Sequence, residues 1–174
     1  KFTHLLPNCE ILFIGNDDRM EAKVIPAHGY RFQSLHTSGL VGNVFQKGRA
    51  VGQMFSARKK AKKYLRDFQP DIVIGFGGYV SAPVMMASTS LGIPTMIHEQ
   101  NSIVGKSNQL VMHKVDAIVT CYEKCSEVFP KDKIHLLGNP RATIAKEAKL
   151  DEAYYASLQL DPNKKTILIM MGSL

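Results

Sequence analysis

Residues 71–101 constrain the fold more than any other part of the chain. Ile72, Val73 and Ile74 form a β-branched run typical of a buried parallel strand, and a second buried strand is predicted at residues 95–97. Between them lie a glycine-rich turn and a helix predicted over residues 79–90. Four consecutive polar residues, 98–101, follow the second strand. Open parallel sheets bind ligands at the carboxyl ends of their strands, so we expect the site at these two loops.

The rest of the chain repeats the alternation of strand and helix. Further strands are predicted at residues 10–14, 30–36, 117–121, 133–137 and 166–170, and helices at 19–28, 44–68, 104–115, 142–149 and 151–160. Strands that alternate with helices at this spacing predict an α/β fold with a Rossmann-like, doubly wound parallel sheet. The last strand leads into a small-residue turn, which is how a new strand–helix unit begins. We therefore expect one domain over residues 1–139, and a linker with the start of a second domain over 140–174.

The overall charge indicates the kind of partner, and the cysteines indicate whether disulfides or a metal site are expected. The 174 residues include 22 lysines and arginines against 15 aspartates and glutamates, a net charge of +7 that favours anionic partners. Cys9, Cys121 and Cys125 follow no disulfide or zinc-ligand spacing, so we expect reduced thiols and no metal.

The predicted helix over residues 44–68 carries much of the positive charge. Apolar residues recur at three- and four-residue steps, and lysines and arginines fill most of the remaining positions. The second half fits a solvated surface helix packed on the sheet. The first half, 44–55, fits either the same role or contact with acidic lipid. Nucleic acid is not expected, because no aromatic platform or recognition motif accompanies the charge.

The two loops offer residues for binding and for proton transfer. Gly77 and Gly78, between a strand and a helix, fit either a phosphate-binding backbone or a tight turn. Ser81 can donate a hydroxyl to a ligand or cap the helix. His98 and Glu99 fit an acid/base pair, the orientation of a hydroxylated ligand, or structural hydrogen bonds. Asn101 suits sugar hydroxyls or a helix cap.

Both loops resemble motifs of one enzyme family. The run Gly77-Gly78-Tyr79-Val80-Ser81 and the run from His98 to Gly105, HEQNSIVG, resemble the GGYVS and HEQNxxxG motifs of the MurG family. The resemblance extends to residues 18–21, to 38–40 and to 138–140. Members of this family transfer N-acetylglucosamine (GlcNAc) from UDP-GlcNAc to lipid I, giving lipid II for peptidoglycan synthesis. They have a GT-B fold of two Rossmann-like domains, and this chain resembles the acceptor domain without its first strand and glycine loop.

The resemblance implies roles for nine residues and no cofactor or metal. The implied roles are catalysis for His98 and Glu99, binding of the acceptor diphosphate for Gly77, Gly78, Tyr79 and Ser81, and binding of UDP-GlcNAc for Asn101, Arg141 and Ser173. The family's proposed catalytic base lies in the first glycine loop, which would precede Lys1. Two departures are Met171, where a glycine is common, and Arg141, which follows Pro140 directly.

The implied reaction is an inverting single displacement at the cytoplasmic face of the bacterial membrane, on an anionic surface that the basic helix would meet. The 174-residue chain alone is expected to have no transferase activity. Two alternatives remain from the sequence. One is a non-catalytic membrane-docking partner of a separate donor-binding chain, and the other is a nucleotide-sugar epimerase of similar architecture.

Overall fold

The computed structural model describes residues 6–39, 43–147, 152–161, 163–165 and 167. In this part of the chain β-strands and α-helices alternate. The strands are β1 Leu12–Asn16, β2 Arg31–Leu35, β3 Val73–Gly75, β4 Thr95–Glu99, β5 Ala117–Thr120 and β6 Ile134–Leu136. The helices are α1 Glu21–Ala27, α2 Val44–Phe68, α3 Ser81–Thr89, α4 Lys106–Val111, α5 Pro140–Glu147 and α6 Glu152–Ser157. The predicted strand at 166–170 lies outside the described residues, apart from Ile167.

The strand pairings among the described residues are all parallel, and they form two separate ladders. β1 pairs with β2, and β3, β4, β5 and β6 pair in that order. Each connection between paired strands runs through helical segments, as parallel pairing requires. The predicted Rossmann-like α/β fold is confirmed, although the described strands form two ladders instead of one continuous sheet.

Two apolar clusters hold these elements together. One joins α3 to β4 and β5 and includes Met85, Ile97 and Ile118, all fully buried. The other joins α2 to α3. There Ala57 and Ala61 of α2 meet the α3 side chains, and these small residues let the two helices approach closely. Burial of apolar surface in these clusters is the main force that fixes the helices on the strands.

Helix α2 has the predicted bounds, and its ends explain why. Asn43 and Gln46 form a reciprocal capping box, in which each side chain accepts a hydrogen bond from the other's backbone N–H. At the other end Gln69 adopts a left-handed conformation, with φ of 51°, and its N–H bonds to the carbonyl of Leu65.

Other element bounds differ from the prediction. Strand β4 continues through Glu99, where the sequence suggested a strand ending at Ile97 and a polar loop. His98 and Glu99 remain in the strand because they pair with Val119 and Thr120 of β5. The predicted helices over 79–90 and 104–115 are shorter, as α3 and α4.

The chain divides into two compact units, residues 1–139 and 140–174. The first unit contains both ladders and helices α1 to α4. The described part of the second unit contains helices α5 and α6.

Candidate functional site

The candidate site lies at the carboxyl ends of β3, β4 and β5. The parallel register places Gly75 beside Ile97, and Glu99 beside Thr120, so the segments that follow these strands leave from one edge. Both loops singled out in the sequence therefore lie at this edge of the sheet.

The glycine loop joins β3 to α3. Gly77 and Gly78 have φ of 84° and 78°, a conformation that side chains rarely adopt. Ser81, the first residue of α3, is buried, and its Oγ has no hydrogen-bond partner among the described residues. A Cβ on Gly75 would lie 2.7 Å from this Oγ, so glycine leaves room for the hydroxyl. An unpartnered hydroxyl beside the N–H groups of a helix start suits an anionic ligand.

Tyr79 extends from the same loop and is half exposed. Its ring lies against Gly39, in the segment that follows β2. A Cβ on Gly39 would lie 2.5 Å from Cζ of Tyr79, which is closer than real Cβ contacts. Gly39 therefore allows the tyrosine ring to lie where it does.

Glu99 is the most strongly hydrogen-bonded side chain of the site. It is 2% exposed, and its carboxylate accepts four hydrogen bonds. Oε1 accepts from the backbone N and Nδ2 of Asn101, at 3.0 and 3.1 Å. Oε2 accepts from the N of Gly105 at 2.9 Å and from Nδ2 of Asn108 at 3.0 Å. The carboxylate thus ties residues 101–108 to the end of β4.

The same contacts set the ionisation of Glu99. Burial opposes the charged form, but the hydrogen bonds from Gly105, Asn101 and Asn108 outweigh it and hold the pKa below its ordinary value of 4.5. A carboxylate that remains charged and already accepts four hydrogen bonds is suited to holding the loop, and less suited to transferring protons. Asn101 itself is exposed, so its amide can meet a ligand.

Sequence reasoning missed Asn108. This residue is 2% exposed in α4, and its Nδ2 binds Glu99. In the sequence Asn108 is one of four polar residues in the segment KSNQLV, and nothing there marks it as buried. Its partner could not be identified from local sequence, because nine positions separate the two residues.

His98 lies beside Glu99 and is 5% exposed. Its Nε2 is 3.2 Å from the carbonyl oxygen of Gly138 and 3.9 Å from Sγ of Cys121. The Phe76 ring packs against the imidazole, with the ring centroids 5.8 Å apart. Nδ1 is buried and has no partner among the described residues. Burial raises the pKa of the Cys121 thiol, and the charge of Glu99 adds to this effect.

Arg141 and Ser173 are the remaining predicted site residues. Arg141 is an exposed residue of α5 in the second unit, and Ser173 lies outside the described residues. Within the described ranges, no group of three or more histidine, cysteine, aspartate or glutamate side chains could hold a metal ion.

Helix α2 presents an apolar and basic surface. Phe45 and Phe55 are 88% and 66% exposed, and Val51 is partly exposed on the same helix. Exposed basic residues share this surface, among them Arg49, Lys59, Lys63 and Arg66. In the described part of the chain no helix combines the length and apolar character needed to cross a membrane.

The family match of this chain and its similarity to curated proteins agree with each other. Residues 4–120 match the glycosyltransferase family 28 N-terminal domain. The chain is 39% identical over 165 residues to the UDP-N-acetylglucosamine–N-acetylmuramyl-(pentapeptide) pyrophosphoryl-undecaprenol N-acetylglucosamine transferase of Halalkalibacterium halodurans, covering 94% of this chain and 45% of that protein. It is 38% identical to the enzyme of the same name from Bacillus subtilis, covering 96% and 46%. The chain thus spans about half the length of the curated relatives it matches.

Solved structures agree with this comparison. A crystal structure of Acinetobacter baumannii MurG matches with a TM-score of 0.62 and 25% identity, covering 79% of this chain and 39% of that one. A putative UDP-N-acetylglucosamine 2-epimerase from Listeria monocytogenes matches with a TM-score of 0.57 and 12% identity, covering 84% and 43%. The epimerase shares the fold alone, whereas the resemblance to the MurG family is confirmed in sequence and structure.

Proposed function

This chain belongs to glycosyltransferase family 28, and we propose that it forms the acceptor-binding part of a GlcNAc transferase that converts lipid I to lipid II. The observation that carries the proposal is the 39% identity, over nearly the whole chain, to a transferase of that name. Both glycine and HEQN motifs lie within the aligned family domain and at one edge of the sheet.

The glycine loop is the proposed site for the acceptor diphosphate. Gly77 and Gly78 give the backbone a turn with positive φ between β3 and α3, where backbone N–H groups can meet a ligand, and Ser81 contributes an unpartnered hydroxyl at the start of α3. Tyr79 is exposed enough to contact the acceptor. These groups are hydrogen-bond donors, and they suit phosphate oxygens without requiring a metal.

The donor UDP-GlcNAc is proposed to meet Asn101, Arg141 and Ser173. Asn101 is held from one side by Glu99, which leaves its exposed side toward solvent. The assignments of Arg141 and Ser173 rest on the family resemblance.

The proposed reaction is a single displacement with inversion. The C4 hydroxyl oxygen of the N-acetylmuramoyl sugar forms a bond to the anomeric carbon of GlcNAc. The bond from that carbon to the diphosphate oxygen breaks, and UDP leaves with the electron pair. A base takes the hydroxyl proton, and donors around the diphosphate stabilise its growing negative charge. The family resemblance implies catalytic roles for His98 and Glu99, but their hydrogen bonds favour holding the site in place over removing this proton.

Helix α2 is proposed to bind the anionic cytoplasmic face of the bacterial membrane. Its exposed phenylalanines can enter the headgroup region, and its basic residues meet acidic lipid. Contact with this surface would bring the protein to a lipid-linked acceptor.

The function is tested with the full-length protein that contains this chain. We expect GlcNAc transfer from UDP-GlcNAc to a lipid I analogue, with inversion at the anomeric carbon. Asn101→Ala should lower kcat/KM about tenfold, the effect of one lost hydrogen bond to a substrate, while the exposed control Asn8→Ala should leave it unchanged. Membrane binding without any transfer would favour a docking module instead.

Membrane binding has its own test. Vesicles containing anionic lipid should bind the protein, and added salt should weaken binding because ions screen the basic residues. Lys59→Glu combined with Lys63→Glu should reduce binding about tenfold or more, since each basic residue near such a surface contributes about 1 kcal/mol. Lys23→Glu with Lys131→Glu makes the same charge change away from α2, and equal loss from both pairs would contradict a specific surface on α2.

A further inference from the structure

The two ring nitrogens of His98 have different surroundings. Nε2 lies 3.2 Å from the carbonyl oxygen of Gly138, while Nδ1 is buried without a partner among the described residues. A carbonyl oxygen can only accept a hydrogen bond, so this contact requires a proton on Nε2. When the ring carries this one proton, its lone pair is on Nδ1, which is shielded from solvent.

This arrangement is poor for general base catalysis. A base needs a lone pair within hydrogen-bond reach of the proton that it removes. In His98 the shielded Nδ1 has the lone pair, and the nitrogen with a partner already donates to the backbone. The Phe76 ring packs on the imidazole and helps to fix its orientation.

Gly138, whose carbonyl oxygen contacts His98, lies near the end of the first unit. Gly138 is the second-last residue of the first unit, and its φ is 76°. The N–H groups of Leu137 and Gly138 both donate to the carbonyl of Thr120, at 3.2 and 3.1 Å. His98 adds a hydrogen bond from a side chain to the carbonyl of Gly138.

We propose that His98 is a positioning residue that fixes the point at which the chain leaves the first unit, through Nε2–H bound to the carbonyl of Gly138. His98 in β4 and Thr120 in β5 together hold both the N–H and the C=O of Gly138. Any activity that requires the segments on both sides of Gly138 then depends on this hydrogen bond. The kinetic part of the test rests on the function proposed above, and the spectroscopic part does not.

The spectroscopic test uses the full-length protein with ¹⁵N-labelled histidine. Long-range ¹H–¹⁵N correlation distinguishes the protonated from the bare ring nitrogen, and His98→Gln identifies the resonance by its loss. We expect a proton on Nε2 of His98. A proton on Nδ1 alone would overturn the proposal, whether or not the protein transfers GlcNAc.

Matched substitutions test the position of the donor. Glutamine places its Nε2 the same number of bonds from Cβ as histidine does, whereas the amide nitrogen of asparagine matches Nδ1. His98→Gln should therefore retain slow amide exchange at Gly138, and His98→Asn and His98→Ala should speed it. Equal exchange in His98→Gln and His98→Asn would count against the proposal.

Activity of the same variants separates positioning from proton transfer. We expect His98→Gln to remain within about threefold of the unmodified enzyme with an unchanged pH profile, and His98→Asn and His98→Ala to lose about 10- to 100-fold, as small misplacements do. The exposed His28→Gln is the control. If all three His98 variants lose activity alike and lose one limb of the pH profile, His98 acts as an acid or base and the proposal fails.

Discussion

Replacing Glu99 with glutamine tests whether this carboxylate organises the site. The substitution preserves shape but turns one oxygen into an NH₂ group, which cannot accept the two hydrogen bonds made there. Each buried donor left without a partner costs about 1–3 kcal/mol. We expect the glutamine oxygen to lie toward Gly105 and Asn108, where it still accepts both hydrogen bonds. The NH₂ group then lies toward Asn101, which is exposed, so that the donors of Asn101 can bind water instead. We therefore expect the free energy of unfolding to fall by about 2–3 kcal/mol, near the lower end of the sum for two donors.

The measurement is the urea-induced unfolding of the original chain and of Glu99→Gln, monitored by circular dichroism. Because the pKa of Glu99 in the folded state lies below 4.5, the carboxylate stabilises the fold above that pH. Its contribution disappears as the pH falls through the folded-state pKa and the carboxyl takes up a proton. The difference in unfolding free energy between the original chain and Glu99→Gln should be constant near neutrality and shrink in acid.

The control is Glu127→Gln, an exposed glutamate for which we expect a change within about 0.5 kcal/mol. If Glu99→Gln costs no more than this control, or if its cost is the same at every pH, the hydrogen-bonded carboxylate does not hold the loop and the reasoning is refuted.

Two further substitutions test packing and hydrogen bonding around the site. Gly39→Ala should lower the free energy of unfolding by about 1–3 kcal/mol, because its Cβ would collide with the ring of Tyr79. The control Gly48→Ala, in open space on α2, should raise the free energy of unfolding by up to about 1 kcal/mol. An unchanged free energy of unfolding in Gly39→Ala would show that the ring of Tyr79 moves freely. Asp116 accepts hydrogen bonds from the N and Oγ1 of Thr95 at 2.8 and 2.7 Å, which hold its pKa below the ordinary value. Asp116→Ala should cost about 1 kcal/mol near neutral pH, since solvent competes at this exposed residue, and less in acid; urea titrations that show no pH dependence would contradict this.

The sequence predicted what depends on local pattern. β-branched runs separated by helical stretches predicted parallel strands, and the amphipathic stretch over residues 44–68 predicted α2 with its observed bounds. The glycine turn and the HEQN segment were both expected at the carboxyl ends of strands, where β3 and β4 place them.

What depends on distant partners was not predicted. Four polar residues in succession indicated a loop, but β4 includes His98 and Glu99 because donors from Asn101, Gly105 and Asn108 compensate the buried charge. The contact of His98 with Gly138 spans 40 positions, and no local pattern contains it. The separation into two ladders is also a property of pairing between distant segments, which strand composition does not determine.

The two ladders have a practical consequence for handling the chain by itself. Among the described strands β1 pairs only with β2, and β3 pairs only with β4, so each has one edge without a strand partner. Phe13 on β1 and Ile72 just before β3 are partly exposed. Unpaired edges with apolar side chains are templates for aggregation, so recombinant preparations of these 174 residues should self-associate as concentration rises. Light scattering across a dilution series would detect this.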